Sequence, residues 1–300
     1  MTAPLLMLLA SLLFATMGVC VKLAAQQYGA GEVVFYRSLV GALLITLFAR
    51  VRGGSLRTPV PAMHFWRSLC GVSGLCLWFY SLTALPLATA MTLNYTSSVW
   101  MALFLIGGAV LFGATRVDPR LVASVLAGFI GVALVLQPTI DTQQVRHGLA
   151  GLLSGVLGAM AYLQVTALGR QGEPEYRVVF YFSLGGVAAG AVMMAWGGMS
   201  PHTWRGAGLL LATGLLATAG QMMMTRAYAI GRVLSNASLQ YLGILFSYVY
   251  GVLLFGDAIT WPALIGVWLI VAAGLATTLL RASTPAPASP DTRSGHPSQL

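Results

Sequence analysis

The stretch from Val33 to Gly41 reads VVFYRSLVG, and the stretch from Val178 to Gly186 reads VVFYFSLGG. Seven of these nine positions agree, at an offset of 145 residues (178 − 33). In a chain this apolar, such a match marks a duplicated half. Further along each half the offset is 143. Phe112 and Gly113 fall on Phe255 and Gly256, Pro119 on Pro262, and Gly131 on Gly274.

Composition places the duplicated chain in a bilayer. Of its 300 residues, 58% are hydrophobic and only 8% are charged, too few to coat a water-soluble globule. A span needs about 20 apolar residues. Ten such runs stand between the few charges, roughly 4–22, 33–50, 65–84, 87–112, 119–137, 148–168, 177–197, 206–226, 233–255 and 261–280. Five runs per half is an odd number, so the second half enters the membrane upside down relative to the first. The expected fold is an all-α integral membrane protein of ten transmembrane helices in two inverted five-helix repeats, residues 1–139 and 140–281. Residues 282–300, rich in Pro, Ser and Thr, are expected to be a disordered tail.

The basic residues orient this bundle. With the amino terminus inside, twelve of the sixteen lie on the cytoplasmic side: Arg50, Arg52, Arg57, Arg67, Arg116, Arg120, Arg170, Arg177, Arg226, Arg232, Arg281 and Arg293. Arg146 and Arg205 stay outside, with Lys22 and Arg37 near the outer ends of the first two spans. The positive-inside rule then puts both termini in the cytoplasm of a multi-pass protein of the cell inner (plasma) membrane. Arginines dispersed over short loops give no nucleic-acid face. The first span has no basic stretch before it and reads as an uncleaved helix.

Chemistry-bearing motifs are few. Cys20, Cys70 and Cys76 fall inside apolar runs and read as packing residues, and no metal-ligand spacing or bound cofactor is expected. The glycines of residues 151–158, 185–190 and 71–74 read as small stripes that let helices approach closely. Gly71-Val72-Ser73-Gly74 has the G-x-S-G form of an intramembrane serine nucleophile, but His64, His147, His202 and His296 all fall at loops, borders or the tail, so Ser73 reads as packing. His64-x-Trp66-Arg67 and His202-x-Trp204-Arg205 are seven residues out of the repeat register and read as interfacial anchors.

Five-helix halves, the segment ALPLATA (Ala84 to Ala90) before a long span, and the glycine-punctuated GFIGVALVL (Gly128 to Leu136) resemble the drug/metabolite transporter superfamily, EamA type. The resemblance covers about residues 4–281 and implies a carrier of small organic solutes, exported more often than imported. The sequence departs from that pattern where many members carry proline in the fourth and ninth spans, since Ser98 and Tyr241 stand there. An acidic residue follows the next glycine only in the second half, where Asp257 faces Ala114 of the first.

A carrier's site is expected near midplane at the repeat interface. Asn94, Ser98 and Met101 share one helix face, and the 143-residue offset maps them onto Ala237, Tyr241 and Ile244, which brings Ser98 and Tyr241 together. Trp78, Trp100, Tyr162, Gln221 and Tyr248 are the further candidates, although Tyr and Trp are also ordinary core residues. Arg37 has Phe182 as its repeat partner. It reads either as a clamp for a carboxylate or phosphate or as an outward-reaching side chain paired with Glu32. Lys22 reads as an anchor more than a ligand. Every acid falls in a loop, at a span edge or in the tail, which favours transport without obligatory proton coupling.

The expected function is therefore a secondary transporter of an amino acid or related metabolite, exporting by alternating access. Import of a vitamin or nucleoside-like solute is the alternative, with a protease using Ser73 behind it. The expected partners are a small-molecule solute and the lipid bilayer, with a homodimer left open and no nucleic acid.

Overall fold

A hydrocarbon core holds no water to satisfy backbone N–H and C=O groups, so an apolar run there must bond within itself, as a helix does. The computed structural model describes residues 1–82, 84–85, 87–112, 118–137, 144–256 and 258–282. Among them are twelve helices and no strand: α1 (Ala3–Ala24), α2 (Ala30–Val51), α3 (Pro61–Leu82), α4 (Leu87–Tyr95), α5 (Ser97–Phe112), α6 (Pro119–Leu136), α7 (Val145–Arg170), α8 (Glu175–Gly197), α9 (Trp204–Ile230), α10 (Val233–Gln240), α11 (Leu242–Phe255) and α12 (Trp261–Ala282). The tail after residue 282, Arg116, Asp141 and Asp257 lie outside the described residues.

The helix starts carry their local chemistry. The Asp118 carboxylate accepts from the Arg120 N–H at 3.0 Å ahead of Pro119, and Thr203 accepts from the Gly206 N–H at 3.1 Å. At the end of α11, Gly256 takes a left-handed conformation (φ 71°) that costs a glycine nothing.

Eight spans are long and apolar enough to cross a membrane among the described residues, six of them single helices and two the interrupted pairs α4/α5 and α10/α11. Their outer faces carry side chains such as Leu111 and Leu253, each more than 70% exposed, a surface that only lipid would cover favourably.

The interruptions were not foreseen, and they correct the register of the site. They fall at Thr96 and Tyr241, separated by the same 145 residues as the opening motif. Tyr241 therefore answers to Thr96, not to Ser98. The offset shrinks to 143 only afterwards, because α11 has 14 residues where α5 has 16. At Thr96 the side-chain hydroxyl donates to the Leu93 carbonyl at 2.5 Å and competes with the helix ladder. At Tyr241 the backbone N–H turns to the Ser238 carbonyl, three residues back, and tightens the chain.

Packing is carried by small residues at the crossings. Along the α2/α8 contact Gly31 faces Met193, Phe35 faces Gly190, Ser38 faces Gly186 and Gly41 faces Ser183, so the two helices run antiparallel. α1 packs on α9, α3 on α7 and α6 on α12. Gly131 and Gly266 cross so closely that a Cβ on either would lie within 2.7 Å of the other's carbonyl oxygen. The glycines of α7 receive the interrupted helix, Gly151 facing Leu93 and Gly155 facing Thr96.

Candidate functional site

α2, α8 and α9 enclose a small cavity lined by Arg37, Ser38, Phe182, Ser183, Thr218 and Gln221 among others. Its free volume is about 10 Å³, room for roughly one water. Of the residues singled out in the sequence, Arg37 and Gln221 share this cavity, and Tyr162 on α7 lies within electrostatic reach of Arg37. Arg37 does not pair with Glu32, whose oxygens are taken by the Gly29 N–H and by Ser200.

The remaining candidates are placed elsewhere. Asn94 donates to the Ser154 hydroxyl at 3.1 Å and ties α4 to α7. Ser98, fully buried, donates to the Ala237 carbonyl at 3.2 Å, one turn before the second interruption. Tyr241 is fully buried, its hydroxyl beside Ser98 as the sequence reading expected, but its ring sits on Gly128 in an apolar cluster with Val132, Ile244 and Ile270, and it is not among the residues lining the cavity. Trp100 packs with Phe104 against the largest core cluster. Trp78 and Tyr248 each bury a polar atom with no hydrogen-bond partner.

Arg67 is the residue that the sequence reading misplaced. It is 3% exposed on α3, not a cytoplasmic anchor, and its guanidinium lies 4.1 Å from the centre of the Phe182 ring, the same ring that walls the Arg37 cavity. Gly71, one turn on, leaves the space that the guanidinium occupies. His64 is likewise buried, 2.9 Å from Glu173, whose second oxygen accepts from Arg177 at 2.9 Å. The look-alike His202, Trp204 and Arg205 are all exposed. The sequence did carry a signal: Arg67, Gly71, Gly74 and Trp78 share one helix face, and the two His-x-Trp-Arg segments are out of repeat register. Lys22 sits 3.6 Å from the centre of the Phe255 ring, an anchoring contact.

Polar clusters close both ends of the α2/α8 pair. At the start of α8, Arg177 donates to the Ser55 carbonyl through Nε (3.2 Å) and Nη2 (3.0 Å), and the Tyr181 hydroxyl donates to the Leu56 carbonyl at 3.1 Å. At the start of α2, Ser200 donates its N–H and its hydroxyl to Glu32 at 2.9 and 2.8 Å, and Tyr36 meets His202 at 2.7 Å. Because the helices are antiparallel, these clusters lie at opposite ends of the pair.

An all-helical bundle with apolar outer faces and two interrupted spans defines a multi-pass membrane protein. The profile of the EamA-like transporter family matches residues 1–137. The pseudopaline exporter CntI of Pseudomonas aeruginosa is 32% identical over 273 residues, covering 91% of this chain and 94% of the exporter. The chain belongs to the EamA-like transporter family, whose names denote transporters of small solutes and not enzymes. The riboflavin transporter of Brucella anthropi is 27% identical over 275 residues, 87% of this chain and 93% of that protein. The S-adenosylmethionine uptake transporter of Rickettsia conorii is 23% identical over 231 residues, 75% of each chain. A solved crystal structure superposes with a TM-score of 0.79 at 22% identity over 93% of this chain and 98% of that one, a likeness of fold.

The family's names speak for transport over the Ser73 protease reading, and the geometry offers that reading no base. The buried His64 stands on the same helix nine residues away, about 13 Å of rise, and is engaged by Glu173.

Proposed function

We propose that this chain is a secondary carrier of the cell inner membrane that exports a small organic solute of amino-acid or related metabolite type by alternating access. It crosses ten times with both termini cytoplasmic, as two inverted five-helix halves, residues 1–139 and 140–281. Solute is held by Arg37, Gln221 and Tyr162, with the interrupted helices bearing Asn94 and Ser98 alongside.

The observation that carries this reading is the matched pair of closures. Glu32 and Arg177, Ser55 and Ser200, and Tyr36 and Tyr181 are each 145 residues apart, so one closing device recurs at both ends of the α2/α8 pair. A carrier needs two such gates, opened in turn around one site. The partnering of helices adds support, since a two-fold exchange of halves maps α2 on α8 and α6 on α12 onto themselves and swaps α1 on α9 with α3 on α7. Removing Arg67 from the cytoplasmic set leaves eleven of twelve basic residues there, still a strong inward bias.

Transport runs down the solute gradient without obligatory proton coupling. Among the described residues, the buried acids Glu32 and Glu173 serve the two closures and not the cavity. Uptake as a second reading has specific support from the riboflavin and S-adenosylmethionine relatives. Reconstituted protein screened across amino acids, nucleobases and vitamins, in both directions and with the pH gradient collapsed, tests both. Accumulation that requires a pH gradient and is lost in Glu32→Gln or Glu173→Gln would refute uncoupled transport, and strictly inward movement would refute export.

A further inference from the structure

Arg37 and Arg67 are two cations inside the bundle, and among the described residues neither makes an ion pair or a hydrogen bond. They flank one ring. Arg67 lies over Phe182, while Phe182 and Arg37 wall the same cavity. Arg67 is fully buried and Arg37 half-buried, and desolvating two unpaired charges of one sign near each other is costly unless an opposite charge arrives. Glu173 cannot supply it, being held by His64 and Arg177.

The groups beside the two guanidinia define what would fit. Nε and Nη1 of Arg67 are donors without acceptors, and the Gln221 carbonyl oxygen is an acceptor without a donor. The Tyr162 hydroxyl accepts from Gln240 at 3.0 Å, which leaves its own proton to give. Fork-shaped guanidinium donors match planar carboxylates two bonds at a time. Phosphate sites are commonly built from backbone N–H groups at a helix start, and Arg37 and Arg67 both lie within their helices instead.

We propose that the cavity at Arg37, opened past the Phe182 ring to Arg67, binds an amino dicarboxylate, one carboxylate on each guanidinium with the amine N–H given to Gln221. The proposal rests on the carrier reading for its role and narrows the solute class. With about 10 Å³ free, the pocket is too small for such a solute, so α8 must move away from α2 and α9 to admit it.

The test uses the full-length protein in detergent, with thermal unfolding midpoints measured against iminodiacetate, its one-carboxylate analogue N-methylglycine, and inorganic phosphate. Iminodiacetate is expected to raise the midpoint and N-methylglycine to leave it unmoved. Arg37→Gln and Arg67→Gln should each weaken the apparent affinity roughly ten- to a hundred-fold, with Arg67→Lys falling between. Midpoints without added solute that equal or exceed the wild type's show that the variants are folded, since each Gln removes an unpaired charge. The proposal is overturned if iminodiacetate does not shift the wild type, if N-methylglycine or phosphate protects equally well, or if both Gln variants bind normally. Counterflow in proteoliposomes separates the two claims. Binding of iminodiacetate without counterflow of any solute refutes the carrier and leaves the site, whereas counterflow of a neutral solute untouched by either Gln variant refutes the site and leaves the carrier.

Discussion

Glu32 and Arg177, of opposite charge and 145 residues apart, perform the same task at opposite ends of one antiparallel helix pair. Glu32 accepts from the Ser200 backbone N–H, and Arg177 donates to the Ser55 backbone carbonyl. Each pins the start of one long helix to the loop that follows the other. The duplicated backbone recurs, while the sign of the charge follows whether an N–H or a carbonyl faces it.

Breaking either closure should therefore bias the carrier in opposite directions. The native Cys70, buried on α3 near Arg67 and Gln164, is the reporter once Cys20 and Cys76 are replaced by alanine. Glu32→Ala should raise its labelling by an impermeant thiol reagent from outside, and Arg177→Ala from the cytoplasmic side in inverted vesicles. Loss of a charged hydrogen bond of about 1.5–3 kcal/mol predicts a shift of ten-fold or more. Equal labelling of both variants from both sides would contradict two separate gates.

The same labelling fixes topology. Cysteine in place of Arg52, just past α2, or of Arg170, at the end of α7, should react only from the cytoplasmic side. Reaction of either from outside intact cells would reverse the orientation inferred from the arginines.

The crossing of α6 with α12 predicts where size is not tolerated. A Cβ on Gly131 or Gly266 would meet the other helix's carbonyl oxygen, so Gly131→Leu or Gly266→Val should cost about 1–3 kcal/mol or more and lower the midpoint and membrane yield. Gly107 and Gly108 have nothing within 4 Å of such a Cβ. Alanine there should be neutral or gain up to about 1 kcal/mol from helix propensity. Equal behaviour of the two glycine pairs would show that the crossing does not bear on stability.

Helix placement was legible because the sequence states it twice over, in runs of apolar residues and in the recurrence of VVFY. What it did not state was burial. His64 and Arg67 look like border anchors because they flank an exposed Trp66, but a helix turns 100° per residue and points them inward, onto Glu173 and Phe182. His202 and Arg205 flank Trp204 in the same spacing and point outward. The interruptions at Thr96 and Tyr241 escaped for a related reason. No proline or glycine stands at either position, and they arise from a threonine hydroxyl competing for the Leu93 carbonyl and from a turn tightened onto the Ser238 carbonyl, local bonds that apolar periodicity does not register. Arg37 and Gln221 could be picked out because polar groups in apolar helices are rare; that Phe182 joins Arg37 to Arg67 follows only from the crossing of α2, α3 and α8.

Tyr241 gives the sharpest contrast between the sequence reading and the packing. Placed at midplane opposite Ser98, it reads as a solute contact, and its truncation would then abolish transport with folded protein unaffected. The structure instead sets its ring on Gly128 within the cluster of Val132, Ile244 and Ile270, fully buried, with the hydroxyl beside Ser98. A packed ring of this kind loses about 3–5 kcal/mol on truncation in soluble cores. Tyr241→Ala should therefore lower the thermal midpoint and membrane yield together with transport. Tyr241→Phe keeps the ring and removes only a hydroxyl beside Ser98, whose own proton goes to the Ala237 carbonyl, so it should stay within about 1 kcal/mol of wild-type stability and transport normally. Yield and transport per folded molecule, measured in parallel, separate the outcomes. A Phe variant that is stable but inactive would return Tyr241 to the solute path, and an Ala variant of normal yield would show that the cluster does not depend on the ring.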